Sequence, residues 1–227
     1  MDRDTLAAAI DQTMLKPTVG FAEGARWIEA NAALGFAALC VAPFLVPVAA
    51  QKLAGTATKV CSVCGFPLGY ANTESKAEEA AHLVELGCQE VDMVMNVAAF
   101  LEGEDGFVAD DVAAVVAQVE HVSGGSALVK VIIETGHLDA AQIARAAVLV
   151  ADSGAAFVKT CTGFGPRGAT ADDVRTLRAA VGERIGVKAS GGIRDLVGAL
   201  EMLDAGATRL GSSSGTEILD ALAHGRG

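Results

Sequence analysis

The sequence predicts a (β/α)8 barrel, in which eight parallel strands alternate with helices and close into a cylinder. Short apolar runs alternate with longer segments of helical periodicity along the chain, which is typical of successive βα units and a parallel sheet. The chain has 227 residues, and one closed α/β barrel needs about 200 to 250 residues. No linker or composition break divides it, so we predict one barrel domain over residues 1–227.

Eight short apolar or β-branched runs are predicted to form the strands of this barrel. The first is the weakest, because its residues could equally end an N-terminal helix. Seven strands after an irregular start are therefore the alternative. The predicted strands cover residues 9–13, 36–41, 59–64, 90–95, 128–133, 156–160, 186–189 and 208–211.

Eight helices are predicted between and after these strands, and most have an amphipathic pattern. In the third helix, Thr73 suits the N-cap and Gly87 suits the C′ position, where φ is positive. The same glycine stop occurs at Gly35, Gly154 and Gly206, each shortly before a strand. The predicted helices cover residues 23–34, 44–53, 73–86, 108–121, 138–152, 171–181, 195–203 and 216–222.

Charge and composition exclude several functional classes. The formal net charge is -11, and the 17 lysines and arginines are scattered, so no basic stripe could follow a nucleic-acid backbone. No apolar run reaches the roughly 18 residues of a membrane span. The opening residues, MDRD, do not begin a signal peptide. We expect a cytoplasmic protein that binds neither nucleic acid nor membranes.

The five cysteines indicate free thiols, because the number is odd and the chain is long enough to fold without cross-links. Cys61 and Cys64 form a CxxC pair that could be redox-active or bind a metal. The pair lies in an apolar run, however, and no second ligand pair follows at the spacing of a zinc site. A buried strand explains it better, since free cysteine is often buried.

Two lysines lie at the ends of neighbouring predicted strands, Lys159 on the sixth and Lys188 on the seventh. Side chains at these strand ends surround the active site of a (β/α)8 barrel. Repulsion between two ammonium groups favours loss of a proton from one of them, and the neutral amine can attack a carbonyl. The alternative is two surface lysines, but each follows apolar residues. We predict that Lys159 is a Schiff-base nucleophile.

Asp92 lies among apolar residues of the fourth predicted strand. Its carboxylate is therefore expected to be buried, and a buried carboxylate needs a partner. Lys159 and Lys188 would supply that partner and bring Asp92 into the catalytic site. The alternative is that Asp92 only satisfies backbone donors in a structural role.

Glycine-rich segments follow the last two predicted strands. Gly191 and Gly192 follow the seventh strand, while Gly211, Ser213 and Ser214 follow the eighth and lead into the last helix. Barrels build phosphate sites at this position from backbone N–H groups and a helix N-terminus. Tight turns that need positive φ are the alternative. Their position beside the lysine pair favours phosphate binding.

Six segments, in order along the chain, resemble the class I deoxyribose-phosphate aldolases. They are DQT (11–13), GFPLG (65–69), EVDMVMN (90–96), FVKTCTGFG (157–165), VKASGGIR (187–194) and RLGSSSG (209–215). The resemblance implies reversible cleavage of 2-deoxy-D-ribose 5-phosphate to D-glyceraldehyde 3-phosphate and acetaldehyde, without a metal or other cofactor. Phosphosugar and aldehyde substrates would be the partners. A homodimer is compatible with the family.

The resemblance also implies a role for each matching residue. Lys159 would form the imine, and Asp92 and Lys188 would form a proton relay through water. Phosphate would be held by Gly191, Gly192, Gly211, Ser213 and Ser214, and the sugar hydroxyls would lie near Asp11, Thr13 and Thr162.

Several positions depart from the family pattern. Cys161 stands where serine is usual, Gln12 where histidine is frequent, and Ala42 where asparagine is common. Residues 221–227 contain no tyrosine, whereas some relatives end in one that assists proton transfer. These changes leave both lysines in place.

Two other functions are compatible with the same residues. One is an isomerase in which Asp92 is the base and Lys159 is only an electrostatic aid. The other is a binding barrel without catalysis, because a fold does not determine a function.

Overall fold

The computed structural model describes residues 1–225, which form a closed barrel of eight parallel strands paired in chain order. The last strand pairs with the first, at Ile10 with Leu210 and Asp11 with Gly211. The predicted fold class is confirmed, and the first strand is present. The strands are β1 (Ile10–Met14), β2 (Ala38–Val41), β3 (Lys59–Cys64), β4 (Glu90–Val94), β5 (Leu128–Ile132), β6 (Phe157–Lys159), β7 (Gly186–Ser190) and β8 (Arg209–Ser212).

Helices surround the barrel, and every predicted helix is present within a few residues of its predicted ends. Two helices of five residues each, α1 and α5, were not predicted, because so short a segment shows no helical periodicity. The helices are α1 (Arg3–Ala7), α2 (Phe21–Asn31), α3 (Val46–Lys52), α4 (Thr73–Glu85), α5 (Val97–Leu101), α6 (Asp105–Ser123), α7 (Ala140–Asp152), α8 (Ala171–Val181), α9 (Leu196–Asp204) and α10 (Gly215–Ala223).

The predicted helix-end signals are correct at the C-terminal ends and wrong at one N-terminus. The N-cap of α4 is Asn72, not Thr73, because the Asn72 side chain accepts a hydrogen bond from the backbone N–H of Ser75 at 2.8 Å. This is the usual bond from an N-cap to N3. The predicted stop glycines all have positive φ, at Gly35 (79°), Gly87 (104°), Gly154 (85°) and Gly206 (111°).

The apolar core lies between the strands and the surrounding helices, and a smaller cluster of Ala38, Cys40, Cys61 and Val63 lies inside the barrel. The two cysteines of the CxxC pair belong to different clusters, because residues three apart on a strand point to opposite faces. All five cysteines are free and buried. Burial raises the pKa of the Cys88 thiol to about 12. Burial also raises the pKa of the Cys61 and Cys64 thiols, and the two thiols lie on opposite faces of β3.

Among residues 1–225, no helix combines the length and the apolar character that crossing a membrane requires.

Candidate active site

Strand register brings the two predicted lysines together. Lys159 on β6 is paired directly with Lys188 on β7, and Asp92 on β4 is paired with Lys130 on β5. In a closed parallel barrel, residues of one face of every strand point to the same interior. Lys130, which the sequence analysis did not select, therefore joins the three predicted catalytic side chains.

Asp92 is the centre of this cluster and is fully buried. Its Oδ1 accepts a hydrogen bond from Lys130 Nζ at 2.8 Å. Its Oδ2 accepts hydrogen bonds from Lys159 Nζ at 2.8 Å and from Lys188 Nζ at 2.6 Å. The expectation of a buried carboxylate with two lysine partners is met, and a third lysine is added.

A second layer of charges lies deeper in the barrel. Asp11 Oδ2 accepts a hydrogen bond from Lys188 at 2.5 Å, and Asp11 Oδ1 accepts one from Arg209 at 2.6 Å. Glu90 bonds Lys130 at 2.7 Å and Arg209 at 3.1 Å. These contacts connect Lys188 and Lys130 to the N-terminal end of the barrel.

The electrostatics of the cluster stabilise the charged forms of Asp92 and Lys188. Burial raises the pKa of Asp92, but Lys130, Lys159 and Lys188 outweigh burial and hold that pKa well below its usual value. Burial likewise opposes the Lys188 ammonium, yet Asp11 and Asp92 raise the pKa of Lys188 above the ordinary lysine value. Lys188 is therefore a fixed positive charge.

The charge count singles out Lys159. Asp11, Glu90 and Asp92 carry three negative charges, which Lys130, Lys188 and Arg209 balance. Lys159 contacts one of these carboxylates, Asp92, at 2.8 Å. The side chain of Lys159 is also 5% exposed, whereas those of Lys130 and Lys188 are fully buried. A neutral amine with access to a cavity is the form that attacks a carbonyl.

A cavity of about 210 Å³ opens above Lys159 at the C-terminal ends of the strands; we call it the phosphate cavity, after the group predicted to bind there. Six of the other predicted site residues line it: Thr13, Thr162, Gly191, Gly192, Gly211 and Ser213. Arg194, Ser190 and Ser212 also line it. The guanidinium of Arg194 adds a positive charge that the sequence analysis did not assign to the site.

The glycines of this cavity are required for two different reasons. Gly191 and Gly192 have φ values of 93° and 82°, which favour glycine. Gly211 has no such φ, but a Cβ there would lie 2.8 Å from Ser190 Cβ and 3.2 Å from Lys188 Cε. Gly211 therefore makes room for the Lys188 side chain as well as lining the cavity.

Two predicted substrate contacts lie elsewhere than expected. Asp11 was assigned to the sugar hydroxyls, but it is fully buried and both of its oxygens are bonded to cations below the cavity. Ser214 was assigned to the phosphate, but its backbone N–H donates to Ser212 Oγ at 3.0 Å. Asp11 thus holds Lys188 and Arg209, and Ser214 shapes the turn into α10.

Two sets of side chains bring three candidate metal ligands together, Cys40, Cys61 and Asp92 in one and Asp11, Cys61 and Glu90 in the other. Ligand atoms of Cys40, Cys61 and Asp92 lie within 4.8 Å of one another. Zinc binds cysteine as thiolate, but burial raises the pKa of Cys61 well above that of an ordinary thiol. Both oxygens of Asp92 already bind lysines. A metal ion would have to displace these ammonium groups.

The fold and this site define a (β/α)8 barrel in which a buried cluster of lysines and carboxylates lies below a cavity. The model of the DeoC/LacD family aldolases matches residues 5–221, and the chain belongs to that family. It is 47% identical over 217 residues to a deoxyribose-phosphate aldolase of Geobacillus sp. (strain WCH70), covering 96% of each chain. It is 46% identical over 215 residues to that of Bacillus subtilis (strain 168), covering 95% of each.

Solved structures agree with this assignment. An aldolase called QR15 superposes with a TM-score of 0.90 at 39% identity, covering 96% of each chain. The deoxyribose phosphate aldolase of Aeropyrum pernix, described as a unique tetramer, superposes with a TM-score of 0.85 at 33% identity and covers 98% of this chain and 92% of its own.

Proposed function

We propose that this protein is a 2-deoxy-D-ribose-5-phosphate aldolase, which reversibly cleaves 2-deoxy-D-ribose 5-phosphate to D-glyceraldehyde 3-phosphate and acetaldehyde. The observation that carries the proposal is the contact of Lys159 with Asp92 at 2.8 Å, on the wall of the phosphate cavity. The names of the relatives support the same reaction. Residues 1–227 would act as one catalytic domain.

The proposed chemistry begins when the neutral Lys159 amine attacks the C1 carbonyl of the open-chain sugar. Loss of water from the carbinolamine gives a protonated imine. Removal of the proton from the C3 hydroxyl then breaks the C2–C3 bond, releases glyceraldehyde 3-phosphate and leaves an enamine on Lys159. Protonation of the enamine at C2, followed by hydrolysis, releases acetaldehyde and restores the amine.

Asp92 and Lys188 are proposed to move these protons through a water molecule. The support is that both contact each other beside Lys159, at 2.6 Å. Asp92 supplies oxygen acceptors and Lys188 supplies N–H donors, so the pair places an acceptor and a donor for that water beside Lys159. The phosphate would be bound by Gly191, Gly192, Gly211 and Ser213, with Thr13 and Thr162 near the sugar hydroxyls.

Trapping of the imine tests the proposal. Acetaldehyde and borohydride should together add one ethyl group to Lys159, located by peptide mass spectrometry, and Lys159→Ala should abolish it. Lys16→Ala, which removes an exposed lysine, is the matched control and should be labelled like the parent protein. Ethylation elsewhere that survives in Lys159→Ala would exclude the Schiff-base mechanism. Isomerisation of a phosphosugar without carbon–carbon cleavage would instead favour the isomerase.

The family resemblance supports a proposal for the place of action and for the assembly. We infer that the protein acts in the cytoplasm on small phosphosugars and aldehydes, and that it forms a homodimer. Sedimentation equilibrium would measure the assembly, and a monomer or a tetramer would contradict the dimer.

A further inference from the structure

The loop between β6 and α8, residues 160–170, packs against the two glycines that follow β7. The backbone N–H of Ala169 donates a hydrogen bond to the Gly191 carbonyl at 3.0 Å. Gly168 packs on the same peptide group, because a Cβ at position 168 would lie 2.2 Å from Gly191 O and 3.2 Å from Gly192 N. The position of this loop therefore determines how the peptide between Gly191 and Gly192 is oriented.

The orientation of that peptide decides where one backbone donor points. The peptide is trans, since the one cis bond among the described residues is Phe66–Pro67, and the C=O and N–H of a trans peptide point in opposite directions. Because Ala169 holds the Gly191 carbonyl, the Gly192 N–H points away from Ala169. Gly192 is exposed and lines the phosphate cavity, and its N–H has no hydrogen-bond acceptor within residues 1–225. This N–H is available to a ligand.

Arg167 holds the loop in place through four hydrogen bonds of its guanidinium group. Nη1 and Nη2 bind the two carboxylate oxygens of Asp173, the second at 3.0 Å. Nη1 also donates to the Gly168 carbonyl at 3.0 Å, and Nη2 donates to the Thr135 carbonyl at 2.9 Å. The planar guanidinium presents its N–H groups in a fixed geometry, so the Gly168 carbonyl is fixed relative to Asp173.

Asp173 is a well-anchored partner for this arginine, because it lies in the first turn of α8 and is only 5% exposed. Its Oδ2 also accepts hydrogen bonds from the Thr135 hydroxyl at 2.9 Å and from the Thr170 backbone N–H at 3.2 Å. The Thr170 hydroxyl in turn accepts a hydrogen bond from the Asp173 N–H at 3.1 Å. The carboxylate thus joins the start of α8 to the turn after β5, and Arg167 attaches the loop to both.

We propose that Arg167 is a positioning residue for the substrate phosphate. Through Asp173 and Gly168 it holds the loop so that the Gly192 N–H points into the phosphate cavity. Arg167 does not line that cavity, so it acts through the loop and not by contact with the phosphate. The inference rests on the proposed function, because it takes the phosphate of deoxyribose 5-phosphate as the ligand of Gly192. Without the guanidinium, the peptide can rotate and its hydrogen bond to the phosphate is lost.

Titration of inorganic phosphate into the full chain tests the proposal, with the backbone amide NMR signal of Gly192 as the probe. We expect a saturable shift in the parent protein. Arg167→Met and Arg167→Lys should both bind phosphate at least about tenfold more weakly, as expected for loss of one hydrogen bond to a charged group. The lysine keeps the charge but cannot form the same fork. Parent affinity in Arg167→Lys, or no saturable shift in the parent protein, would overturn the proposal.

Two further variants separate positioning from a general loss of stability. Gly168→Ala keeps the guanidinium but places a Cβ 2.2 Å from Gly191 O, so it should also weaken phosphate binding at least about tenfold. Arg175→Met removes another arginine of α8, one that pairs with an exposed aspartate, and should bind phosphate like the parent protein. Parent affinity in Gly168→Ala, or an equal loss in Arg175→Met, would refute the positioning role. Imine trapping on Lys159 uses no phosphate, so it tests the aldolase proposal separately.

Discussion

Lys159 and Lys188 are paired in register on adjacent strands and donate to the same oxygen, Asp92 Oδ2, at 2.8 and 2.6 Å. Only Lys188 has a second carboxylate partner, Asp11, at 2.5 Å. The two amines thus occupy unequal electrostatic positions although they are neighbours. This inequality supports the proposed roles, in which Lys188 is an ammonium and Lys159 is the nucleophile.

Lys188→Met should lower kcat by about 10²-fold or more, the range expected for loss of a general acid or base. It should also move the acidic limb of the kcat/KM profile to higher pH, because the fixed positive charge beside Lys159 is gone. Initial rates of sugar cleavage between about pH 5 and 9 would measure both effects. Lys52→Met, which removes a surface lysine paired with Glu29, serves as the control. An unchanged profile with full activity would make Lys188 structural.

Asp92→Asn should lower the free energy of unfolding by about 3 kcal/mol or more, the cost of removing one partner from a buried ion pair. Three lysines lose their shared anion in this variant. Urea denaturation would measure the difference. Asp172→Asn, at an exposed ion pair with Arg175, should change stability by less than about 1 kcal/mol. A stable Asp92→Asn variant would show that the lysines can lose protons without penalty.

The free energy of unfolding should decrease in acid, partly because Asp92 takes up a proton when the chain unfolds. Its folded pKa is well below the unfolded value, so the unfolded state binds more protons below about pH 4 and stability decreases there. Above that pH the contribution is complete. Asp92→Asn should therefore show a shallower loss of stability below about pH 4 than the parent protein. Equal slopes would contradict the depressed pKa.

Ser213→Asp should raise KM for deoxyribose 5-phosphate far more than KM for deoxyribose, because the new carboxylate faces the predicted phosphate position. Inorganic phosphate should also compete with the first substrate. Ser126→Asp, on the exposed turn before β5, should leave both KM values unchanged. Equal increases for the two sugars would argue against a phosphate site at this cavity.

Deletion of residues 224–227 should change kcat by less than about tenfold, which is below the effect of losing a general acid or base. Helix α10 ends at Ala223, and the exposed His224 ring donates to the Asp220 carbonyl at 2.7 Å. The glycine-rich end of the sequence also predicts a disordered tail, and two of its residues, Arg226 and Gly227, lie outside the described residues. Loss of C2 proton exchange in a folded truncation would assign the proton transfer to this segment.

The order of strands and helices was predictable because each signal is local. Glycine stops such as Gly87 and Gly206 are determined by their own φ, and apolar runs identify buried strands without knowledge of their partners. The N-cap of α4 was predicted wrongly, as Thr73 instead of Asn72, because the local sequence offers two suitable residues. Both Asn72 and Thr73 are good N-cap residues, and the choice depends on which side chain reaches a free N–H.

The pairing of Lys159 with Lys188 was predictable from their strand ends, but the cluster around them was not. Lys130 lies in the middle of β5, and nothing local shows that its partners are Asp11, Glu90 and Asp92. The sequence feature that could have identified Lys130 is a lysine that alternates with apolar residues in a short strand. Asp11 was misplaced because a carboxylate near a strand end can point to the cavity or to the cations below it, and only barrel closure decides between them.

The bond between Asp11 on β1 and Arg209 on β8 has a consequence for synthesis of the chain. Nearly the whole polypeptide has to emerge from the ribosome before Asp11 can form its ion pairs. Its partners Arg209 and Lys188 are 198 and 177 residues away along the chain. Shorter nascent chains hold an uncompensated charge in the barrel interior, so we expect no stable partial barrel. Pulsed hydrogen exchange during refolding would then show β1 and β8 becoming protected together, and early protection of β1 alone would contradict this order.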